Sequence, residues 1–448
     1  MLNKEQARNI LNKVLEYSRA DETEVSLGGG TFALTRFAQN IVHQNTMERG
    51  YEVSVRTVLG KKTGRASTNR LTDKDLKRVV ETALDITRHI PDDPELLPVL
   101  EPQEYRRLET PARNTVIFSP DKQLKLVGKI INLARGHGLK ASGSLSHTLG
   151  SLEEYGERGI FAVANSKGLF AYYGRQLSSL SVTIEGEDSS GWARQEGLGL
   201  AELNPETLAA TAIDKAIKSQ NPRLIDPGEY TVILEPAAVA SLVWFLVDGF
   251  NALAYYEGRS FLKDKLGQKL AGENFTMLDD AYHPLYSERP FDDEGILKKK
   301  VILFDRGVAA NLVYSRKEAR KHKAEPTGHG LQVPNPWGAR AGNIVVMGGE
   351  ETLEEMIRTT EKGLLVTRFW YNRLVDPMRV IVTGMTRDGT FLVEKGKIKY
   401  GVKNLRFNQS VLEIAKNIRA LSSPIKIEGM VVPAMKVDHF NFTSTTEF

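Results

Sequence analysis

LVWFLVDGFNALAYYEGRSFLKDKLG, Leu242 to Gly267, sets an apolar run directly against a polar, glycine-punctuated segment. The first half reads as a buried helix, because Asp248 is its one acid before Glu257. A helix that is apolar on every side belongs in the interior, so Trp244 is expected to be mostly buried and structural. The second half, from Gly258, Arg259 and Ser260 to Lys263 and Lys265, is too particular for a plain connection. The question is why so featureless a helix precedes so specific a segment.

Upstream, Asn221–Tyr230 (NPRLIDPGEY) carries two prolines, a glycine and no apolar face, and reads as a domain boundary. Before it, Leu2, Ile10, Leu11, Val14 and Leu15 mark an amphipathic first helix. Residues 24–68 read as strands, with YEVSVRTVLGKKTGRAST as a hairpin turning at Gly60 to Gly64. Thr72 caps a helix over TDKDLKRVVETALDI, residues 91–118 form a long proline-bearing connection, and a helix follows near Pro120 to Arg135. Four strand-like runs and a helix from Asn204 to Ser219 complete this half. Downstream, short β runs alternate with turns, interrupted by helices near Ser315 and Gln409. The expected fold class is α+β in two domains: an N-terminal α/β domain over residues 1–222, and a β-rich C-terminal domain over residues 223–448. The C-terminal sheet is expected to be mostly antiparallel, with a few helices.

Composition narrows the chemistry. The chain has 448 residues, 60 basic against 56 acidic, a formal charge of +4, and no cysteine. That balance does not argue for nucleic acid. Without cysteine there is no disulfide, thiolate nucleophile or thiolate metal ligand. The N-terminus lacks the apolar core of a signal peptide. The longest apolar run, Ala237 to Val247, is far short of the ~20 residues of a membrane span. The expected location is cytoplasmic.

The individual motifs are weak. GKKTGRAST has the wrong glycine spacing for a phosphate loop and sits in a hairpin. The basic run Ser315 to Glu325 lacks interleaved aromatics and reads as a solvated helix face. His322, Glu325 and His329 are zinc-capable types, but Pro326 and Gly328 end any helix that would present them together. Asp279, Asp280 and His283 in LDDAYHP are likewise metal-capable, although His-Pro reads first as a turn. In FDDEG, Asp292, Asp293 and Glu294 repel one another unless a cation, backbone donors or solvent intervene. They form either an exposed acidic turn or a structural or binding loop. No G-x-S-x-G elbow occurs. The residues by themselves show no catalytic constellation.

Taken in order, the motifs say more. EGRSFLKDKLG, DDAYHP, PFDDEG, EPTGHG and the ending VVPAMKV with FNFTS follow one another, after TRFAQNIVHQN and GRASTNRLT near the start. This succession resembles the TldD/PmbA family, in particular its TldE (PmbA) branch, also called modulator of DNA gyrase, over essentially the whole chain. The resemblance implies a heterodimeric zinc protease acting on unfolded or precursor peptides. Its TldD-like subunit carries H-E-x-x-x-H on a helix and a cysteine ligand, and its metal activates water. Counting back from Gly258-Arg259-Ser260 places the two histidines at Val243 and Asp248 and the glutamate at Trp244. The metal positions are therefore degenerate. The resemblance implies no catalytic residue and no cofactor in this chain, with zinc in a TldD-like partner. When alone, this chain is expected to be able to pair with itself as a homodimer. An extended peptide is the expected substrate, and neither membrane nor nucleic acid is an expected partner. The segment Gly258, Arg259, Ser260 and Lys263, with Asp292, Asp293 and Glu294, is assigned by resemblance to the peptide cavity and subunit interface. Two other classes remain: an independent peptidase with atypical ligands, and a gyrase- or nucleic-acid-associated binding protein.

Overall fold

The computed structural model describes residues 2–105, 120–149, 160–286 and 288–446. The later part of the proline-bearing connection, 106–118, lies outside them.

The first half is organised by one long hairpin. After α1 (Lys4–Tyr17), capped reciprocally by Asn3 and Gln6, β1 (Glu22–Ala38) and β2 (Ile41–Leu59) run antiparallel. β3 (Lys62–Thr68) returns along β2. Only Gly60 and Lys61 lie between these strands, a tighter turn than Gly60 to Gly64, and Gly60 takes the φ of +56° that such a turn needs. α2 (Asp73–His89) starts at the Thr72 cap. Then come α3 (Pro120–Gly136), β4 (Lys140–Leu149), β5 (Ile160–Asn165), β6 (Phe170–Gly174), β7 (Gln176–Glu185), β8 (Ser190–Gly197) and α4 (Pro205–Lys218). The eight strands of this half among the described residues form one sheet, ordered β3-β2-β1-β4-β7-β8, with β5 on β1 and β6 on β5. β1 is long enough to serve two partners: residues 24–29 pair with β5 and 31–37 with β4. α1 and α2 cover one stretch of this sheet through Leu11, Val14, Val25, Val53, Leu76 and Val80. α3 and α4 cover another through Ile130, Leu145, Val182 and Ile213. β8 was not expected, because SGWARQEG has no two-residue alternation, and its burial has none either.

In the second half come β9 (Gly228–Leu234), α5 (Pro236–Val247), α6 (Ala252–Tyr256), β10 (Met277–Asp279), β11 (Val301–Asp305) and β12 (Val308–Ala309). After these lie α7 (Arg316–Lys321), β13 (Ile344–Val346), α8 (Leu353–Arg358), β14 (Lys362–Asp376) and β15 (Ile381–Glu394). The chain ends with β16 (Lys397–Gly401), β17 (Leu405–Ser410), α9 (Val411–Lys416), β18 (Ile418–Leu421), β19 (Ile425–Ile427), β20 (Met430–Val432) and β21 (Met435–Thr445). Six strands form the sheet β12-β11-β10-β13-β20-β19, and seven form a second one on the path β14-β9-β21-β17-β15-β16. Pairing is antiparallel except for β13–β20 and β9–β14. The fold is α+β, as expected. α8 was missed, although Thr352 and Glu355 form the reciprocal capping pair that announces a helix.

α5 is the centre of this half. It packs against β9 and β14 of one sheet and β19 and β20 of the other. Ala238, Leu242, Val243, Leu246 and Val247 belong to one core with Val232, Leu364, Met430 and Val432.

Candidate functional site

α5 begins at Pro236, whose fixed φ suits a first helical position. The residue before it, Glu235, is tied to Lys215 at 2.6 Å and to Thr367 at 3.2 Å. Towards the end of the helix, the expectation of a wholly internal helix fails. Val243 is buried, but Trp244 is 43% exposed, and the Asp248 side chain is 81% exposed. Arg340 covers both. Its guanidinium lies 4.8 Å from the centre of the Trp244 ring, and its Nε lies 3.6 Å from Asp248 Oδ1. The counted histidine positions, Val243 and Asp248, thus face opposite ways. Valine has no donor atom, an indole N–H offers no lone pair, and Asp248 is met by Arg340. The residues at these positions do not fit a metal.

The polar segment after the helix is a staple. Ser260 is buried: its Oγ donates to the Gly249 carbonyl at 2.6 Å and accepts from Leu262 N at 3.0 Å. Phe261 packs so closely on Gly249 that a Cβ there would lie 2.1 Å from its ring. Gly258, at φ +75°, makes the turn. Arg259 and Lys263 point outward, Arg259 forking onto Glu257 and Lys263 lying 3.3 Å from Asp264. Of this group, only the two cations offer side chains to a partner.

Three motifs separated in sequence meet in one knot. Asp279 of LDDAYHP lies with its Oδ1 3.1 Å from His329 Nε2 of EPTGHG, both fully buried. The other Asp279 oxygen accepts from Gly342 N and Asn343 N at 2.6 and 2.9 Å. Burial pushes the Asp279 carboxyl up, but His329, Lys298 and the Asn343 amide outweigh it and hold it at about 2. Lys298 lies half-buried beside this pair, donates to Asn343 Oδ1 at 2.6 Å, and is pulled below its ordinary range by loss of solvent around its ammonium.

FDDEG completes the knot, and here the structure decides between the two readings of that motif. Asp292 and Glu294 are interior, 2% and 5% exposed. Asp292 accepts three backbone amides, from Glu294 and Ile296 at 3.0 and 2.8 Å and from Gly330 at 2.7 Å. Asp293 is partly exposed and pairs with Arg289 at 2.7 Å. Glu294 accepts from Arg316 N at 3.2 Å. A Cβ on Gly330 would lie 2.2 Å from Glu294 Oε2 and 3.1 Å from Asp292 Oδ2, so only glycine fits between them. Burial raises Asp292 to about 6 despite its amide donors, and burial with the Asp292 charge raises Glu294 to about 8. Of the three carboxylates assigned to cavity and interface, Asp292 and Glu294 are therefore held inside, where they brace the site, and Asp293 is the one with a partly exposed side chain.

The alternative metal readings separate in space. His322 stacks on Tyr256, Glu325 pairs with Lys299 at 2.7 Å, and His329 is taken by Asp279. His283 accepts from Leu285 N in the expected turn, while Asp280 holds Tyr282 N and Lys300. Among the described residues, no three His, Asp or Glu side chains converge as metal ligands. The basic helix α7 is not a free solvated face. Lys317 reaches Asp93 and Glu95, Lys321 reaches Glu95, and Arg316 donates to the Pro98 carbonyl.

Sequence reading gave no sign of Arg340, nor of the seam that joins the knot to the first sheet. There Arg65 Nη2 meets Glu24 Oε1 at 2.8 Å, Nη1 meets Ser54 at 3.1 Å, and Nε donates to the Val333 carbonyl at 2.5 Å. Gln332 donates to Ser26 at 2.6 Å. No local pattern announces such long-range pairs.

The chain matches three family models: PmbA/TldA metallopeptidase domain 1 over residues 23–87, the central domain over 117–220, and the C-terminal domain over 227–444. It is 25% identical over 396 residues to the metalloprotease PmbA of Escherichia coli O157:H7, covering 84% of this chain and 82% of that one. It is 21% identical over 383 residues to a metalloprotease PmbA homolog of Haemophilus influenzae, covering 84% and 81%. Its fold matches TldE from Thermococcus kodakarensis with a TM-score of 0.84 at 21% identity, over 97% of this chain and 99% of that one. It also matches a Thermotoga maritima MSB8 protein described as a modulator of a DNA gyrase, with a TM-score of 0.82 at 20% identity, over 97% and 100%. With three domain models in succession and motifs that meet in one knot, the chain belongs to the TldD/PmbA metallopeptidase family.

Proposed function

We propose that this chain is the non-catalytic, TldE-type subunit of a two-chain metallopeptidase acting on unfolded or precursor peptides. One observation carries the reading: the helix that the resemblance sets at the family's metal-binding position places Val243 in the core and puts Trp244 and Asp248 outside beside Arg340. The knot of Asp279, His329, Asp292 and Glu294 then serves as a rigid brace, and Trp244, Asp248 and Arg340 form the face this helix offers to a partner. A TldD-like subunit supplies the metal and the activated water. A subunit that only positions a peptide is still required, since positioning is a large part of a rate.

The test is reconstitution. Alone, the chain is expected to hold no stoichiometric zinc by elemental analysis and to leave an unstructured peptide intact. Mixed with its TldD-like counterpart, it is expected to form a stable complex that cleaves the peptide. A counterpart fully active alone, with no association, rejects the reading. Chelator-sensitive cleavage by this chain alone does the same.

A further inference from the structure

The seam between the first sheet and the C-terminal half holds an arginine with an open fork. Glu24 on β1, Arg56 on β2 and Arg65 on β3 are direct cross-strand partners, in register across three neighbouring strands. The opposite face of these strands carries Val25, Val53 and Val55 into the α1–α2 core, so the charged row points towards the seam, where Arg65 reaches Val333. Arg56 is 2% exposed, and among the described residues neither its Nε nor its Nη2 has a hydrogen-bond partner. Glu24 gives Oε1 to Arg65 and leaves Oε2 without a partner. Within the row two guanidinium groups, Arg56 buried and Arg65 half-buried, stand against the one carboxylate of Glu24, and Asp293 of FDDEG adds its negative charge near Arg65 alone. A guanidinium cannot escape by losing its proton, and a buried charge without partners is strongly unfavourable. Burial, with Arg56 alongside, already pulls the Arg65 guanidinium down to about 10 against the pull of Glu24.

The open atoms define the missing group. Nε and Nη2 are the side-on edge of a guanidinium, two parallel donors that match a carboxylate. This chain uses the same edge elsewhere: Arg368 closes it on Asp388, and Arg259 closes it on Glu257. On Arg56 that edge is sealed from bulk solvent and, among the described residues, meets no acceptor. We infer that the seam contains a binding site for a small carboxylate anion, held on the Nε–Nη2 edge of Arg56. Its charge balances the row and fastens the first sheet to the segment carrying Gln332 and Val333. The inference does not depend on the peptidase reading, since it concerns the seam and not the α5 face.

Acetate is the probe. Thermal unfolding of the full chain is followed at neutral pH as sodium acetate replaces sodium chloride at constant ionic strength, up to about 100 mM. Binding to the native state alone raises the melting temperature with ligand concentration, here by about 1–3 °C. Arg56→Met, which keeps the aliphatic stem, is expected to abolish that rise and the broadening of the acetate NMR line seen with the parent chain. If Arg56→Met does not fold, Arg56→Lys takes its place, keeping the charge while losing the fork. An acetate response that is absent from the parent, or equal in parent and variant, overturns the site. The first result is what a seam closed by water, or by Glu24 Oε2 turning onto Arg56, would give.

Discussion

The helix α5 and the motif knot lie in the same half of the molecule and are stabilised in different ways. α5 rests on buried area: Leu242, Val243, Leu246 and Val247 are all within 4% of full burial. The knot rests on buried polar contacts: Asp292 answers three amides and Asp279 two, while Asp279 Oδ1 and His329 Nε2 face each other at 3.1 Å outside hydrogen-bond geometry. A hydrophobic core tolerates replacement of one apolar side chain by another of similar volume. A buried polar network has no such tolerance, because removing one member strands the others. The contrast teaches where this chain can vary. The outward face of α5 has room for new residues, and the knot does not.

The sharpest way to break this contrast is Asp292→Ala. It leaves the amides of Glu294, Ile296 and Gly330 without their acceptor in the interior, and it should destabilise the chain by about 3–5 kcal/mol. Denaturant unfolding measures it, and a loss below about 1 kcal/mol would mean that water or another group satisfies those amides. Leu246→Ala tests the other region. Leu246 is fully buried, and the loss should be about 2–4 kcal/mol, set by how far the two sheets collapse onto the gap.

A pH experiment separates the two regions more finely. Glu294 is raised from 4.5 to about 8, so the folded state holds a proton that the unfolded chain releases. Its contribution to stability is fully present below pH 4.5 and is lost as pH rises through 8. Asp292, raised from 3.8 to about 6, adds a loss of the same sign over its own interval. Asp279 has the opposite sign: lowered to about 2, it contributes above pH 3.8 and loses that contribution as pH falls towards 2. Glu294→Gln should flatten the stability profile between pH 4.5 and 8 and be more stable than the parent above pH 8. An unchanged slope would show that Glu294 is ionised throughout. No charged group of α5 takes part, so Leu246→Ala should shift the profile without changing its shape.

The smallest expected effect is Trp244→Ala. With its ring half out of the core and Arg340 over it, the loss is about 0.5–1 kcal/mol, the range of an exposed cation–π contact. A fully internal tryptophan would lose about 3–5 kcal/mol. Its larger consequence is expected in the complex: Trp244→Ala should weaken association with a TldD-like chain, measured by titration calorimetry, while this chain stays folded.

Much of the fold was legible because its signals are local. Thr72 with its acids announces α2, the run before Gly60 announces a hairpin, and two prolines in NPRLIDPGEY mark the break before β9. α8 is equally legible through the capping pair Thr352 and Glu355. β8 was not, since its side chains lack the alternation of a half-buried strand. At the site, the order of the motifs was readable, but their roles were not. FDDEG looks the same on paper whether it is a solvated turn or a buried brace, because its partners come from Gly330 and Arg316, far along the chain.

The sequence by itself determined the helices with caps, the apolar character of α5, the absence of thiol chemistry, and the succession of motifs that identifies the family. Each of these is a property of neighbouring residues or of their order. Only the tertiary structure decided which side of α5 faces out, since an apolar run has no contrast from which a face can be read, and the two enclosing sheets leave open the stripe of Trp244 and Asp248. It also decided which carboxylates are buried and which guanidinium is left without a partner. Those outcomes depend on what a distant segment places opposite each charge, and the energy of a buried charge is set almost wholly by that neighbour.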